Sequence, residues 1–163
     1  MNSTPTVIDN ELSASGVEII KEFEGCHLNA YPDPLTGGLP ITIGWGSTKD
    51  FDGQPFKIGR KITQKYADAL LEFDLKNRFL SALKNIPHWN VMNDNQRGAL
   101  LSFAYNLGAR FYGSSGFNTI TRVLKNKEWN KVPDALYLYH NPGTKVAEGL
   151  KRRRIAEGKL WSS

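Results

Sequence analysis

The chain reads as an α+β protein, mostly α-helical, with one small antiparallel sheet near its N-terminus. Three observations predict this. Apolar residues recur at helical spacing over residues 13–24 and again over 63–83 and 93–108. Between the first two stretches, residues 29–56 turn to Gly, Pro, Thr and aromatics, with the short apolar pieces LPITIGWGST and FKIG cut apart by turn residues. At 163 residues with a single cysteine, Cys26, the chain suffices for one ordinary domain held by packing rather than by disulfides. The expected organisation is a single domain over residues 1–163, with a polar arm at 1–12, a sheet-bearing lobe at 13–62, and a connecting helix and helical lobe at 63–163.

The elements follow in order. Ser13 or Ser15 caps the first helix, in which Val17, Ile20 and Phe23 recur three apart. Gly25 stops it, so Glu24 falls in the last turn. The Gly-rich stretch then supplies the sheet. Thr63 caps a long amphipathic stretch, TQKYADALLEFDLKNRFLSAL, with a stripe of Tyr66, Leu70, Phe73, Leu80 and Leu83 and a break near Asn77. Asn93 or Asp94 opens NDNQRGALLSFAYNLG, apolar nearly all round from Ala99 to Leu107 and closed by Gly108, which is the pattern of a buried central helix. Shorter helices are predicted at Asn118–Leu124 and Val132–Leu138. A last one runs from Val146 to Trp161 after the turn His140-Asn141-Pro142-Gly143.

A net charge of +5 with a pI near 9.3 draws the surface toward polyanions without choosing among them. The basic residues are scattered and no nucleic-acid motif with its defining spacing is present, so no nucleic-acid partner is expected. The N-terminus lacks a basic region followed by an apolar core, and no run approaches membrane-spanning length. The chain is therefore expected to be made in the cytoplasm without a signal peptide, to make no stable membrane insertion, and to act as a monomer. Cys26 and His27 are adjacent and point apart, which rules out a thiol–imidazole dyad between them. One cysteine builds no thiolate metal cage, and neither a metal nor a cofactor is expected.

The chemistry centres on two carboxylates. Glu24 lies beside the negative end of a helix dipole and next to Phe23, both of which favour its protonated form. Asp33, between Pro32 and Pro34 on a solvated loop, is expected to stay ionised. A protonated and an ionised carboxyl facing one bond are what acid-assisted glycoside cleavage needs. Thr42 follows in a β-forming stretch, with Gly44 and Gly46 able to admit close approach of backbone and sugar.

Phe23-Glu24-Gly25, Ala30-Tyr31-Pro32-Asp33 and Thr42-Ile43-Gly44-Trp45-Gly46-Ser47-Thr48 resemble the catalytic pattern of the phage-type lysozymes, the endolysin family. The Glu-to-Asp spacing agrees. Eight residues separate Asp33 from Thr42, three more than the family's usual pattern, a difference that a Gly-Gly hairpin tip absorbs at little cost. The likeness extends over residues 13–161 and includes GLKRRRIAEGKLW near the end.

The resemblance implies a lysozyme-like fold and a cofactor-free muramidase. It would cut the β-1,4 bond between N-acetylmuramic acid and N-acetylglucosamine in bacterial peptidoglycan and would reach the wall through a holin-type lesion. In that reading Glu24 is the proton donor, with Asp33 and Thr42 managing the water. Tyr31, Trp45, Asn106, Tyr112, His140 and Asn141 would contact the glycan, since each lies near a loop or helix end that the family places around its cleft. An arginine from the last helix would support the acid: Arg153 or Arg154, with Arg153 slightly preferred. The rival readings are a lytic transglycosylase or a chitin- or chitosan-cleaving relative on the same fold, and a non-enzymatic wall-binding module.

Overall fold

The computed structural model describes residues 11–34 and 36–163; most of the expected arm, residues 1–10, lies outside the described residues. Helix α1 spans Ala14–Glu24. The strands β1, His27–Tyr31, and β2, Thr42–Gly44, follow. Helix α2 covers Gln64–Asp74 and passes through a π-helical turn, Leu75–Phe79, into α3, Leu80–Leu83. Then come α4, Asp94–Leu107; α5, Asn118–Lys125; α6, Val132–Tyr137; and α7, Ala147–Ser162. Contacts divide the chain into a sheet unit, Glu24–Asn77, and a helical unit formed by Arg78–Ser163 with the residues up to Phe23.

In the sheet unit β1 and β2 pair antiparallel, His27 opposite Gly44 and Tyr31 opposite Thr42, with a bulge in β1 between those two pairs. On its other edge β1 takes hydrogen bonds from the chain just before α2: Ala30 N donates to Arg60 O at 2.9 Å and Ile62 N donates to Leu28 O at 2.9 Å. The first strand therefore starts two residues before the expected stretch. FKIG is not a strand; Arg60 N donates to Lys57 O in a turn, and isolated bridges fall on either side of it, at Lys49 with Pro55 and at Asn29 with Lys61. Ile43, Phe56 and Leu70 form the small core, with Ala30, Ile41, Ile62 and Tyr66 packed around it. Gly44 has φ +66°, and a Cβ there would meet Ala67 at 3.4 Å, so glycine allows both the turn of the strand and its seat on α2.

The loop between β2 and α2 is tied by polar groups. Tyr66 donates to Asp50, Arg60 pairs with Asp50 at 3.0 Å, and the Phe51 ring packs edge-on against Tyr66 and Phe73, each at 5.2 Å. Ser47 Oγ donates to the buried Asp74 at 2.6 Å. Thr63 caps α2, accepting from Tyr66 N at 3.1 Å, and the expected break near Asn77 is the π-helical turn.

The helical unit is built on α4, whose residues Gly98–Ala104 are all buried. Asn93 and Gln96 close a capping box at its start. Phe103, Phe111, Phe117 and Tyr139 form an aromatic core, with Phe117 stacked on Tyr139 at 5.0 Å and Phe103 edge-on to Phe111 at 5.0 Å. α1 crosses α4 at Gly16 and Gly98, where a Cβ on Gly16 would stand 2.6 Å from the Gly98 Cα. That crossing turns Gly16, Ile19 and Ile20 inward and leaves Val17 and Phe23 half-buried, so the buried face of α1 is rotated from the one the three-residue spacing predicted.

Candidate active site

Everything proposed for the chemistry in the first 62 residues belongs to the sheet unit. Glu24 is the last residue of α1, and Gly25, at φ +69°, turns the chain into β1. Two residues on, Cys26 Sγ receives a long hydrogen bond from Gln64 Nε2, 3.5 Å, and the same amide nitrogen reaches Asp68 Oδ1 at 3.1 Å. Asp68 also accepts from the Trp45 indole N–H at 2.8 Å. One face of α2 thereby fixes both the chain leaving Glu24 and the residue following β2. Gln64 and Asp68 were not singled out from the sequence. Their signal was the four-residue spacing that sets them side by side on the helix surface.

Tyr31 is the point on which the catalytic candidates converge. Its phenol is pushed above its ordinary range first by burial and then by the negative charges of Glu24 and Asp33. The His27 ring lies 4.5 Å from it, and Thr42 stands directly opposite it across the ladder. The phenol therefore remains an O–H donor. Asp33 opens the hairpin that follows β1, its N–H donating to Gly38 O at 2.9 Å and its carbonyl accepting from Gly37 N at 2.7 Å. The Thr42 hydroxyl donates to Pro40 O at 3.2 Å, which leaves its lone pairs to accept. Glu24, Tyr31, Asp33, Thr42 and Trp45 are all half-buried, reachable by a ligand yet partly shielded from water.

The remaining candidates lie in the helical unit. Asn106, in the last turn of α4, has a buried Oδ1 without a hydrogen-bond partner among the described residues. Tyr112 is half-buried just after the core residue Phe111. His140 Nδ1 donates to Tyr137 O at 2.6 Å, and its ring rests 4.9 Å from that of Tyr137. Asn141 adopts φ +47°, which asparagine tolerates, and its carbonyl accepts from Thr144 Oγ1 at 2.7 Å.

The basic run at the start of α7 divides sharply. Arg152 is exposed, while Arg153 and Arg154 are 3% and 0% exposed. Arg154 Nε pairs with Glu157 Oε1 at 2.8 Å, its guanidinium lies 4.9 Å above the Phe103 ring, and Arg153 donates to Ser102 on α4. Ser102 Oγ donates in turn to Glu157 at 2.6 Å. Burial pushes the Glu157 carboxyl up, with Arg154 foremost among the neighbours pulling it back. The resemblance implied one supporting arginine; the structure turns two inward, both onto the fully buried Glu157.

No group of three or more His, Cys, Asp or Glu among the described residues is arranged to hold a metal ion. No helix among them is long and apolar enough to cross a membrane.

A family model described as Phage lysozyme matches residues 21–157. The endolysin of Lactococcus phage c2 is 33% identical over 152 residues, 93% of this chain and 60% of its own length. The endolysin of Salmonella phage P22 is 34% identical over 146 residues, 88% of this chain and 93% of its own. Among solved structures, the muramidase domain of SpmX from Asticaccaulis excentricus is 32% identical, with a TM-score of 0.75 covering 93% of this chain and 97% of that one. The chain thus spans 60% of the length of the lactococcal relative.

Proposed function

The chain belongs to the phage lysozyme family, and on that footing we propose that it is a muramidase acting on bacterial peptidoglycan. The bond cut is the β-1,4 link between N-acetylmuramic acid and N-acetylglucosamine. Glu24 gives its proton to the bridging oxygen as the bond from that oxygen to the anomeric carbon breaks. Asp33 balances the positive charge that develops on the sugar. A water that donates hydrogen bonds to Thr42 and Asp33 adds its oxygen to the anomeric carbon and passes a proton to the Asp33 carboxylate; exchange with solvent returns that proton and reprotonates Glu24.

The observation that carries this reading is that Glu24 ends α1, Asp33 opens the hairpin after β1 and Thr42 on β2 faces Tyr31, all within one unit. The proposal extends to Tyr31, Trp45, Asn106, Tyr112, His140 and Asn141 as glycan contacts and to Arg153 or Arg154 as a charge supporting Glu24. The site of action is the cell wall.

Release of reducing ends from purified peptidoglycan tests it. The parent is expected to release them and Glu24→Gln to release almost none. Equal release by both would remove Glu24 from the mechanism. Mass spectrometry of the products separates the nearest rival, since an anhydro-sugar terminus would mean a lytic transglycosylase.

A further inference from the structure

Cationic surplus is concentrated outside the sheet unit. Residues 24–77 hold six Lys and Arg against seven Asp and Glu, whereas the rest of the chain holds fifteen against nine. Part of that surplus gathers at the end of α5, where Arg122, Lys125, Lys127 and Lys131 surround Glu128 within ten residues. Lys131 and Arg122 reach Glu128 at 3.0 and 3.3 Å, and Lys131 foremost, with Asn126 and Arg122, holds its carboxyl below the ordinary range. Lys125 and Lys127 are exposed and have no carboxylate partner among the described residues.

The backbone here is unusual for its sequence. Glu128 N donates to Val123 O at 2.9 Å and Lys127 N to Leu124 O at 3.3 Å, the double closure of a Schellman motif with Lys127 at its left-handed position, φ +56°. Glycine is the residue that position favours, and a lysine there is strained. His88 is also left-handed, φ +71°; its Nε2 meets the Lys125 carbonyl at 3.0 Å, and its ring lies 6.0 Å from that of Trp129. Of the three non-glycine residues with positive φ among the described residues, two therefore lie at this one helix end. The helix dipole accounts for cations in the last turn of α5, but it does not account for a lysine in glycine's place. Strain of this kind persists where the side chain is used.

We propose that Lys125, Lys127 and Lys131, with Arg122, form a docking surface for the carboxylate-bearing peptide stems of peptidoglycan. This rests on the function proposed above, because the stems are attached at intervals to the glycan named there as substrate. Lysine ammonium groups act as compact point charges suited to mobile carboxylates. Single exposed contacts of this kind are weak, and repetition along the polymer makes them add.

The test is titration of soluble peptidoglycan fragments in a Glu24→Gln background, beside the same glycan with its stems enzymatically removed and beside inorganic polyphosphate. Lys127→Gly is expected to weaken binding to stem-bearing fragments by about threefold. The same variant should raise the melting temperature by about 2–4 °C as the left-handed strain is relieved. Lys127→Asn, which tolerates the same φ, serves as the second variant and should lose affinity alike. Unchanged affinity in these variants would overturn the proposal, as would parent affinity that survives stem removal. Preference for polyphosphate over stem-bearing fragments would do the same and assign the patch to a phosphate polymer. The catalytic reading fails separately, if Glu24→Gln still releases reducing ends.

Discussion

The sheet unit and the helical unit hold themselves together by different means. The first gathers a small cluster of Ile43, Phe56 and Leu70 under its strands and secures its loops with half-exposed polar ties such as Asp50, Tyr66 and Arg60. The second buries a run of seven residues on α4, an aromatic cluster and an ion network with no solvent at Arg154 or Glu157. The comparison teaches a division of labour. The groups proposed for proton transfer, Glu24, Asp33 and Thr42, are half-buried in the first unit, while most of the burial that stabilises the chain lies in the second. Substitutions at Glu24, Asp33 and Thr42 should cost activity before stability, and those in the aromatic core of the helical unit the reverse.

The strongest way to break this contrast is Glu24→Gln. An amide has no proton to give, so the rate of wall cleavage should fall by about 10²–10⁴-fold with a near-parent melting curve. A collapsed melt would make Glu24 structural. Phe103→Ala probes the other side: removing a ring in contact with Phe111, Phe117, Tyr139 and Arg154 should cost about 3–5 kcal/mol in chemical denaturation, with cleavage per folded molecule retained.

Gly44→Ala sharpens the comparison at smaller scale. The new methyl meets a positive φ and Ala67, so about 1–2 kcal/mol of stability should be lost, and the cleavage rate should fall by more than the unfolded fraction explains because Thr42 is on the same strand. The smallest effect is the acid response of the loop tie. The Asp50 carboxyl is held below its ordinary range, against the opposing effect of burial, by hydrogen bonds from Tyr66, Phe51 N and Arg60. Its contribution is therefore present above the unfolded aspartate value and is lost as pH falls through the lowered one. Melting curves from pH 6 to about pH 2 should fall less steeply for Tyr66→Phe than for the parent, the difference staying under about 1 kcal/mol at this exposed site.

Much of this architecture was legible in the chain. Thr63 and Asn93 cap their helices, Gly108 closes the buried one, and Glu24 ends α1 because Gly25 takes the left-handed conformation that follows. Those signals are local, so a single sequence carries them. The limits of β1 and the inward turn of both Arg153 and Arg154 were not local. The first depends on backbone partners at Arg60 and Ile62, some thirty positions away, and the second on the buried Glu157 and Ser102. Within the candidate site, residue types and order were readable, whereas the bridge from Gln64 through Asp68 to Trp45 was not, since it needs α2 laid against β2. Lys127 shows the same limit from the opposite side: nothing in NKEW announces a left-handed lysine.

The meeting of Gly16 with Gly98 bears on how such a protein can diverge. A methyl on either partner collides with the main chain of the other helix or with Ser13, so no first step toward a larger residue is tolerated and no second can compensate. Lineages and mutant libraries alike should therefore return hydrogen at both positions while everything around them drifts.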